Sequence, residues 1–231
     1  MDCQEIINTS IADGNAVIPE LEAQKICRDF NITCPPTILA SNKEQCSSAA
    51  QDMGYPVVIK VFSRHIVHKS DVGGVITGIQ NAEQLGKAFE QLMANVSKNA
   101  PEAEVEGVIV QKQMPKGVEV VVGGLKNDQF GPVVMFGLGG IYVEVFKDVS
   151  FRLAPFNKDE ALRQVKETKV YKLLQGVRGE KPCDVAALCE VIVNTGWLLA
   201  AFSEIKELDF NPVFCYPDGC TVVDARLVLQ K

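Results

Sequence analysis

Apolar and polar positions along this chain switch between a helical and a strand period, and the switch points divide it into elements. Around residues 19–31, Ala23, Ile26, Cys27 and Phe30 recur at helical spacing. Pro19 suits a first turn, and Glu20 and Glu22 favour the positive end of the dipole, so a helix is expected there. Pro35-Pro36 gives a stiff entry to a short strand, Thr37-Ile38-Leu39-Ala40. Ser41 and Glu44 have the spacing of a capping box, for a helix that buries Cys46, Ala49, Ala50 and Met53 and closes at Gly54. Val57-Val58-Ile59-Lys60-Val61 and Val75-Ile76-Thr77-Gly78-Ile79 are β-branched runs that read as core strands. Asn81 and Gln84 open another helix, with Leu85, Ala88, Phe89, Leu92 and Val96 along one face.

This order makes a small lobe, and Asn99-Ala100-Pro101-Glu102 is the softest boundary after it. From Val108-Ile109-Val110-Gln111 a second, larger lobe begins. Strands are expected at 118–125, 132–138 and 142–146, with short Gly- and Asp-marked turns that imply an antiparallel sheet. Asn157 and Glu160 cap a further helix. The most apolar window, 185–203, has about the length of a membrane span. Glu190, Asn194, Thr195 and Gly196 would be expensive in lipid, so a buried core helix is expected instead. Residues 207–212 then read as extended, and 221–224 as a last strand. The pattern is of the α+β (α/β) class.

Composition changes this picture little. The 231 residues are 47% apolar and 23% charged, as in ordinary globular proteins. A net charge of −6 argues against a nucleic-acid surface, yet leaves room for a small anion held by local lysines and amides. Met1-Asp2-Cys3-Gln4-Glu5 is acidic and no apolar core follows it, so no secretory leader is expected. The eight cysteines are scattered without a C-x-x-C pair, which fits neither zinc nor a disulfide framework. A reducing cytosol is expected.

Two stretches stand out chemically. Residues 63–75 hold both histidines, His65 and His68, with Arg64, Lys69, Asp71 and Gly73-Gly74, between two core strands. Such a loop lies at the surface, and paired glycines let amide N–H groups turn toward an anion, beside Lys60 and Lys69. Histidine there is either a nucleophile for phosphoryl transfer or a solvated hairpin residue. In Asp209-Phe210-Asn211-Pro212, positions 209 and 211 share a face if the chain is extended, and Asp224 joins them if the following strand pairs. These are hard oxygen ligands of the kind Mg²⁺ prefers, or simply a turn before proline.

Weaker signals are Phe136-Gly137-Leu138-Gly139-Gly140, whose spacing does not match a dinucleotide fingerprint. Glu144, Asp148 and Arg152 recur at spacing four, a phosphate fork or a solvated strand face. Glu119 is an edge charge, or a ribose or metal ligand. Residues 171–178 are a helix end and turn, or a basic pocket.

Together these residues resemble one family. Tyr55-Pro56-Val57-Val58-Ile59-Lys60, His68-Lys69-Ser70-Asp71-Val72-Gly73-Gly74-Val75, Gln111 with Met114, Phe136 to Gly140 with Glu144, and Asp148-Val149-Ser150-Phe151-Arg152 carry the likeness. So do Gly176 to Gly179, Asp209 to Pro212 and Val223-Asp224-Ala225-Arg226. The chain resembles the ATP-grasp β subunit of ADP-forming acetyl-CoA synthetases, relatives of the succinyl-CoA synthetase β subunit. The resemblance implies an ATP-grasp fold whose two lobes enclose a nucleotide, residues 25–107 forming the smaller and 1–24 with 108–231 the larger. It implies the reversible conversion of acyl-CoA, ADP and phosphate into acid, CoA and ATP through a phosphohistidine.

It also implies roles. Lys60 contacts nucleotide phosphates, with Gly73, Gly74, Glu119 and Arg152 as further binding residues. Ile109, Val110, Gln111 and Met114 form a hinge holding adenine by its backbone. Asn211 and Asp224 bind Mg²⁺. His68 carries the phosphoryl group to ADP, and Asp209 orients it. The family's CoA-binding half is absent from these residues, so a CoA-binding α subunit is implied, in an α2β2 heterotetramer in the cytoplasm. Two rivals are a stand-alone ATP-grasp carboxylate ligase, which needs no loop histidine, and a non-catalytic nucleotide sensor.

Overall fold

The computed structural model describes residues 2–66, 68–139, 148–177 and 179–230. The expected strand at 142–146, Gly140, Glu144 and Arg178 lie outside these residues. The chain divides into two compact units, Pro35–Pro115 and Met1–Cys34 with Lys116–Lys231.

The smaller unit contains β1 (Thr37–Ala40), α3 (Lys43–Met53), β2 (Val57–Phe62), β3 (Val75–Ile79), α4 (Ala82–Asn99) and β4 (Gly107–Lys112). Its strands form one antiparallel sheet in the order β1-β4-β2-β3. Alternate residues Val57, Ile59, Val61, Val108 and Val110 pack with Cys46, Ala50, Leu85, Leu92 and Val96 of the two helices. The helices begin where short polar side chains satisfy free N–H groups. Asn81 accepts from Gln84 N at 2.9 Å, as expected. The α3 cap falls one residue beyond the expected Ser41: Asn42 accepts from Gln45 N, and Gln45 accepts from Ser41 N. Both registers satisfy the capping rule, and the entry of the chain from β1 chooses between them.

The larger unit opens with α1 (Cys3–Ala12) and α2 (Glu20–Asp29). After the smaller unit come β5 (Val118–Asn127), β6 (Gly131–Leu138), β7 (Val149–Leu153), α5 (Lys158–Lys166), α6 (Tyr171–Leu174) and α7 (Val185–Ala201). The unit closes with β8 (Ile205–Tyr216), β9 (Gly219–Val222) and β10 (Ala225–Leu229). An antiparallel sheet runs β10-β8-β5-β6-β7, with β9 also on β8. One face carries Val120, Val122, Val134, Phe136, Leu208, Phe210 and Leu227 into a core with Leu188, Ile192 and Leu199 of α7. Helix α7 is the expected apolar helix, and its polar Thr195 is satisfied by donating to Val191 O at 2.7 Å. Gly196 lets it approach the β7 end closely, since a Cβ there would stand 3.0 Å from Ala154 Cβ. Among the described residues no helix is long and apolar enough to cross a membrane.

The units differ from the expected lobes at both seams. Helix α2 buries Ala23, Ile26 and Cys27 in the larger core, so it is not divided at residue 25. Strand β4 does not begin the larger lobe but lies between β1 and β2 in the smaller sheet. A strand's own residues do not say which sheet its backbone will join. Three elements had not been expected as such: α1, opened by a reciprocal Asp2–Glu5 capping box, β7, beyond the strand expected at 142–146, and β10, which continues the chain after a bend at Val223-Asp224.

Candidate functional site

In the smaller unit, Lys60 and Ile109 are direct partners across β2 and β4, and Val58 pairs with Gln111. These positions occupy the face of the sheet turned away from α3 and α4. Lys60 is only 7% exposed and Gln111 1%. An ammonium so placed on a sheet face suits an anion. The adenine hinge expected of Ile109, Val110 and Gln111 does not fit their backbone. All three are flanked on both sides, by β1 and β2, so their N–H and C=O groups belong to the ladders. Of that set only Met114 lies on irregular backbone, in the segment 113–117.

The loop after β2 is tied down at both ends. Arg64 Nε meets Glu106 at 3.3 Å, and His65 Nδ1 accepts from Glu104 N at 3.1 Å. On the return side, Asn95 Nδ2 donates to Gly73 O and Asn99 Nδ2 to Val72 O. His68 stands exposed between these ties. Gly73 and Gly74 do not offer their amides to an anion here, contrary to expectation. Gly73 N donates to Ser70 O at 3.0 Å and Gly74 N to Lys69 O at 2.8 Å. Their glycine character has another cause. Gly73 has φ +67 beside Asn95, and a Cβ on Gly74 would stand 2.5 Å from Val61 Cγ1. The glycines close the loop onto α4 and β2.

In the larger unit, β8 carries Leu208 and Phe210 into the core and Asp209 onto the opposite face. A bulge follows. Val120 pairs with Val213 and Val122 with Phe210, so Asn211-Pro212 stands against Val121 alone. Proline, lacking an N–H, is suited to that irregular step. On the other edge, Asn211 N donates to Asp224 O at 3.2 Å and Val223 N to Pro212 O at 3.0 Å. Asp209, Asn211 and Asp224 are therefore brought together, with Asp224 supplied by the bend between β9 and β10. Burial, with Asp224 and Glu207 close by, pushes the Asp209 carboxyl up from its ordinary value, while Arg226 pulls it back. Crowded carboxylates of this kind are relieved by a cation, and the Asn211–Asp224 oxygens fit the hard donor preference of Mg²⁺. Among the described residues no group of three or more His, Cys, Asp or Glu stands ready to hold a metal.

A cross-strand row crosses this face: Arg226, Asp209, Gly123, Met135 and Phe151 are successive register partners. Beside Asp209, where Gly123 has no side chain, a cavity of about 300 Å³ opens between Leu125, Met135, Phe151 and Glu207. Glu119 lines a second cavity of about 500 Å³ with Gly117, Val118, Leu138, Leu173 and Glu180.

Arg152 is not where a phosphate fork is expected. It pairs with Val134 on the helix-covered face and is taken up by Glu160 at 2.7 Å and Glu167 at 2.5 Å. Asp148 is equally committed, accepting from the N–H groups of Lys169 and Val170 at the start of α6. In the glycine run, a Cβ on Gly137 would meet Asp148 O at 2.6 Å, and one on Gly139 the Val120 backbone at 2.8 Å. Close chain approach explains both glycines. Arg226 had been noted only as part of a motif. Its position two residues beyond Asp224, in the alternating Ala225–Leu229 run, is the signal that puts it on the Asp209 face.

The chain's two α+β units bear these half-sites separately, and a family model described as an ATP-grasp domain matches residues 9–229. The chain belongs to that family. Within it, the β subunit of acetate–CoA ligase (ADP-forming) I from Pyrococcus furiosus is 45% identical over 226 residues, 98% of this chain and 97% of the relative. Acetate–CoA ligase (ADP-forming) I from Archaeoglobus fulgidus is 42% identical over 99% of this chain, which spans 33% of that longer protein. Among solved structures, the dinucleotide-forming acetyl-coenzyme A synthetase 1 of Ca. Korarchaeum cryptofilum, with coenzyme A and Ca-AMPCP, superposes with TM-score 0.96. It is 41% identical and covers 99% of this chain and 100% of its own. That protein has also been solved with coenzyme A, acetyl-coenzyme A and a phosphorylated phosphohistidine segment.

Proposed function

We propose that this chain is the nucleotide-binding β subunit of an ADP-forming acyl-CoA synthetase, in which His68 carries phosphoryl between a partner subunit and ADP. The observation that carries this reading is the Asp209, Asn211 and Asp224 set locked by the β8–β10 ladder of the larger unit, and the exposed His68 on a tethered loop of the smaller unit supports it. The end-to-end likeness to a protein named as a β subunit supports it.

In the ATP-forming direction the P–N bond of phosphorylated His68 breaks. The terminal oxygen of ADP forms the new P–O bond, and the imidazole is left neutral. Positioning and charge compensation do most of the work in such a transfer. Lys60 meets the nucleotide phosphates, Met114 lies at the adenine and Glu119 at the ribose. Asp209 serves as the carboxylate that orients the reacting histidine. Asn211 and Asp224 hold magnesium, which when bound offsets the charge of the polyphosphate. The CoA-binding α subunit completes the reaction, in an α2β2 assembly in the cytoplasm. The name of the Pyrococcus relative, a β subunit, supports a partner of that kind. Eight free cysteines support a reducing compartment.

The test incubates the chain with terminally labelled ATP and Mg²⁺, with and without the α subunit, and measures acid-labile, base-stable phosphate. Label on the wild type and none on His68→Ala is expected, with turnover lowered by at least about a thousandfold. Turnover with a partner but without label would remove His68 from the chemistry and favour a direct ATP-grasp ligase. Nucleotide binding without either would favour the sensor.

A further inference from the structure

We propose that Arg226 is a phosphate-contacting residue of the larger unit, filling the place that spacing alone suggests for Arg152. This rests on the phosphoryl relay through His68. Arg226 lies directly opposite Asp209 across the β8–β10 ladder. Its neighbours Ala225 and Leu227 point into the core, which puts Arg226 on the Asp209 face of the sheet. Its Nε is buried and has no hydrogen-bond partner, and among the described residues its guanidinium makes no ion pair within bonding distance. Buried donors are nearly always satisfied, so an orphaned guanidinium nitrogen calls for an acceptor.

The chemistry of the surroundings selects that acceptor. Glu207, Asp209 and Asp224 bring negative charge to this region, Glu207 two residues before Asp209 on β8 and Asp224 in the bend bonded to Asn211. A phosphoryl group arriving there is repelled by all three. A guanidinium one register position from Asp209 offsets that repulsion, and its planar fork matches two phosphate oxygens. On the other side of Asp209, Gly123 and the adjoining cavity leave space for the incoming group. Arg152 has neither the face nor a free fork for this contact.

The experiment uses the chain assembled with its α subunit, as wild type, Arg226→Lys and Arg226→Met. It measures kcat and KM for ADP, and the rate at which ADP removes label from phosphorylated His68. A contact made to the transferring phosphoryl predicts that Arg226→Met lowers kcat and the discharge rate about a hundredfold or more, with KM for ADP changed little. Arg226→Lys, a point charge without the fork, is expected to restore about a tenth of the lost rate. If Arg226→Met folds and discharges label at the wild-type rate, the proposal is wrong. If it does not fold, Arg226→Lys decides: a wild-type discharge rate there means that Arg226 serves only to balance charge. Wild-type turnover without any label on His68 is a separate result, which overturns the relay and this contact with it.

Discussion

The two faces of the six-stranded sheet solve the problem of charge in opposite ways. On the face covered by α5 and α7, the arginine fork and the buried amide nitrogen find partners inside the unit, and the Gln164 oxygen is left over. Arg152 is held by Glu160 and Glu167, and Gln164 reaches Val134 O and Ser150 O at 3.1 Å each. On the other face, Glu207, Asp209 and Asp224 stand near one another, opposed by Arg226, and the Arg226 Nε is unsatisfied. Large apolar side chains there are left exposed as well, Phe151 at 53% and Leu153 at 57%. The covered face takes up its arginine within the fold, and the other face keeps a buried arginine nitrogen without a partner among crowded carboxylates. Residues of the same type, such as the two arginines, therefore belong to different categories of cause according to the face on which the pleat sets them.

Substitutions across the sheet sharpen or break this contrast. The largest effect is expected on the Asp209 face. Asp224→Asn lowers turnover with the α subunit about a hundredfold or more and raises the Mg²⁺ concentration needed for half-maximal rate, while melting changes little. Unchanged Mg²⁺ dependence would leave Asp224 as a bend residue only. Arg152→Met should do the reverse. Loss of its ties lowers Tm by about 2–5 °C, and activity per folded molecule stays within about threefold of wild type. A collapse of turnover without loss of Tm would return Arg152 to the phosphates.

The smallest effect has an unusual sign. The Asp209 carboxyl is raised above 3.8 by burial and by Asp224 and Glu207. A raised carboxyl binds protons better in the folded state, so its contribution is full below the unfolded value and is lost as pH rises through the folded one. Asp209→Asn removes the charged form from the ligand-free chain. Its Tm is therefore expected to exceed that of wild type by about 1–3 °C at pH 7, with the gap closing toward pH 4. A lower Tm at pH 7 would show that Arg226 already over-compensates the carboxylate.

Most elements were legible from local pattern because their causes are local. The caps at Asn81 and Asn157, the β1 strand and the apolar α7 each follow from residues within a few positions. The α1 capping box at Asp2–Glu5 was equally local, but its helix has only Ile6, Ile7 and Ser10 buried, too thin a stripe to stand out. In the site, the family motifs pointed to His68, Asp209, Asn211 and Asp224, and the register brings the last three together. The same motifs gave no sign that Gly73 and Gly74 spend their amides on Ser70 and Lys69, or that Ile109, Val110 and Gln111 have none to spare. The ladder partners of β4 are distant in sequence, and the tight turn at the glycines is held against Asn95 and Val61, contacts the run itself does not display.

What the residues determined by themselves was the inventory: which stretches are strands and helices, where a histidine loop interrupts two core strands, and which oxygen donors lie at period two. Hydrophobic period and capping chemistry act over a few residues, and a single chain displays them directly. What only the tertiary structure decided was commitment. Strand β4 joined the smaller sheet, the bend at Val223-Asp224 met the Asn211 bulge, and one arginine was taken up by two carboxylates while another kept a buried Nε without a hydrogen-bond partner. Each of these is a choice among partners that local propensity leaves nearly equal, and it is settled by which pairing satisfies the most buried backbone and apolar surface at once.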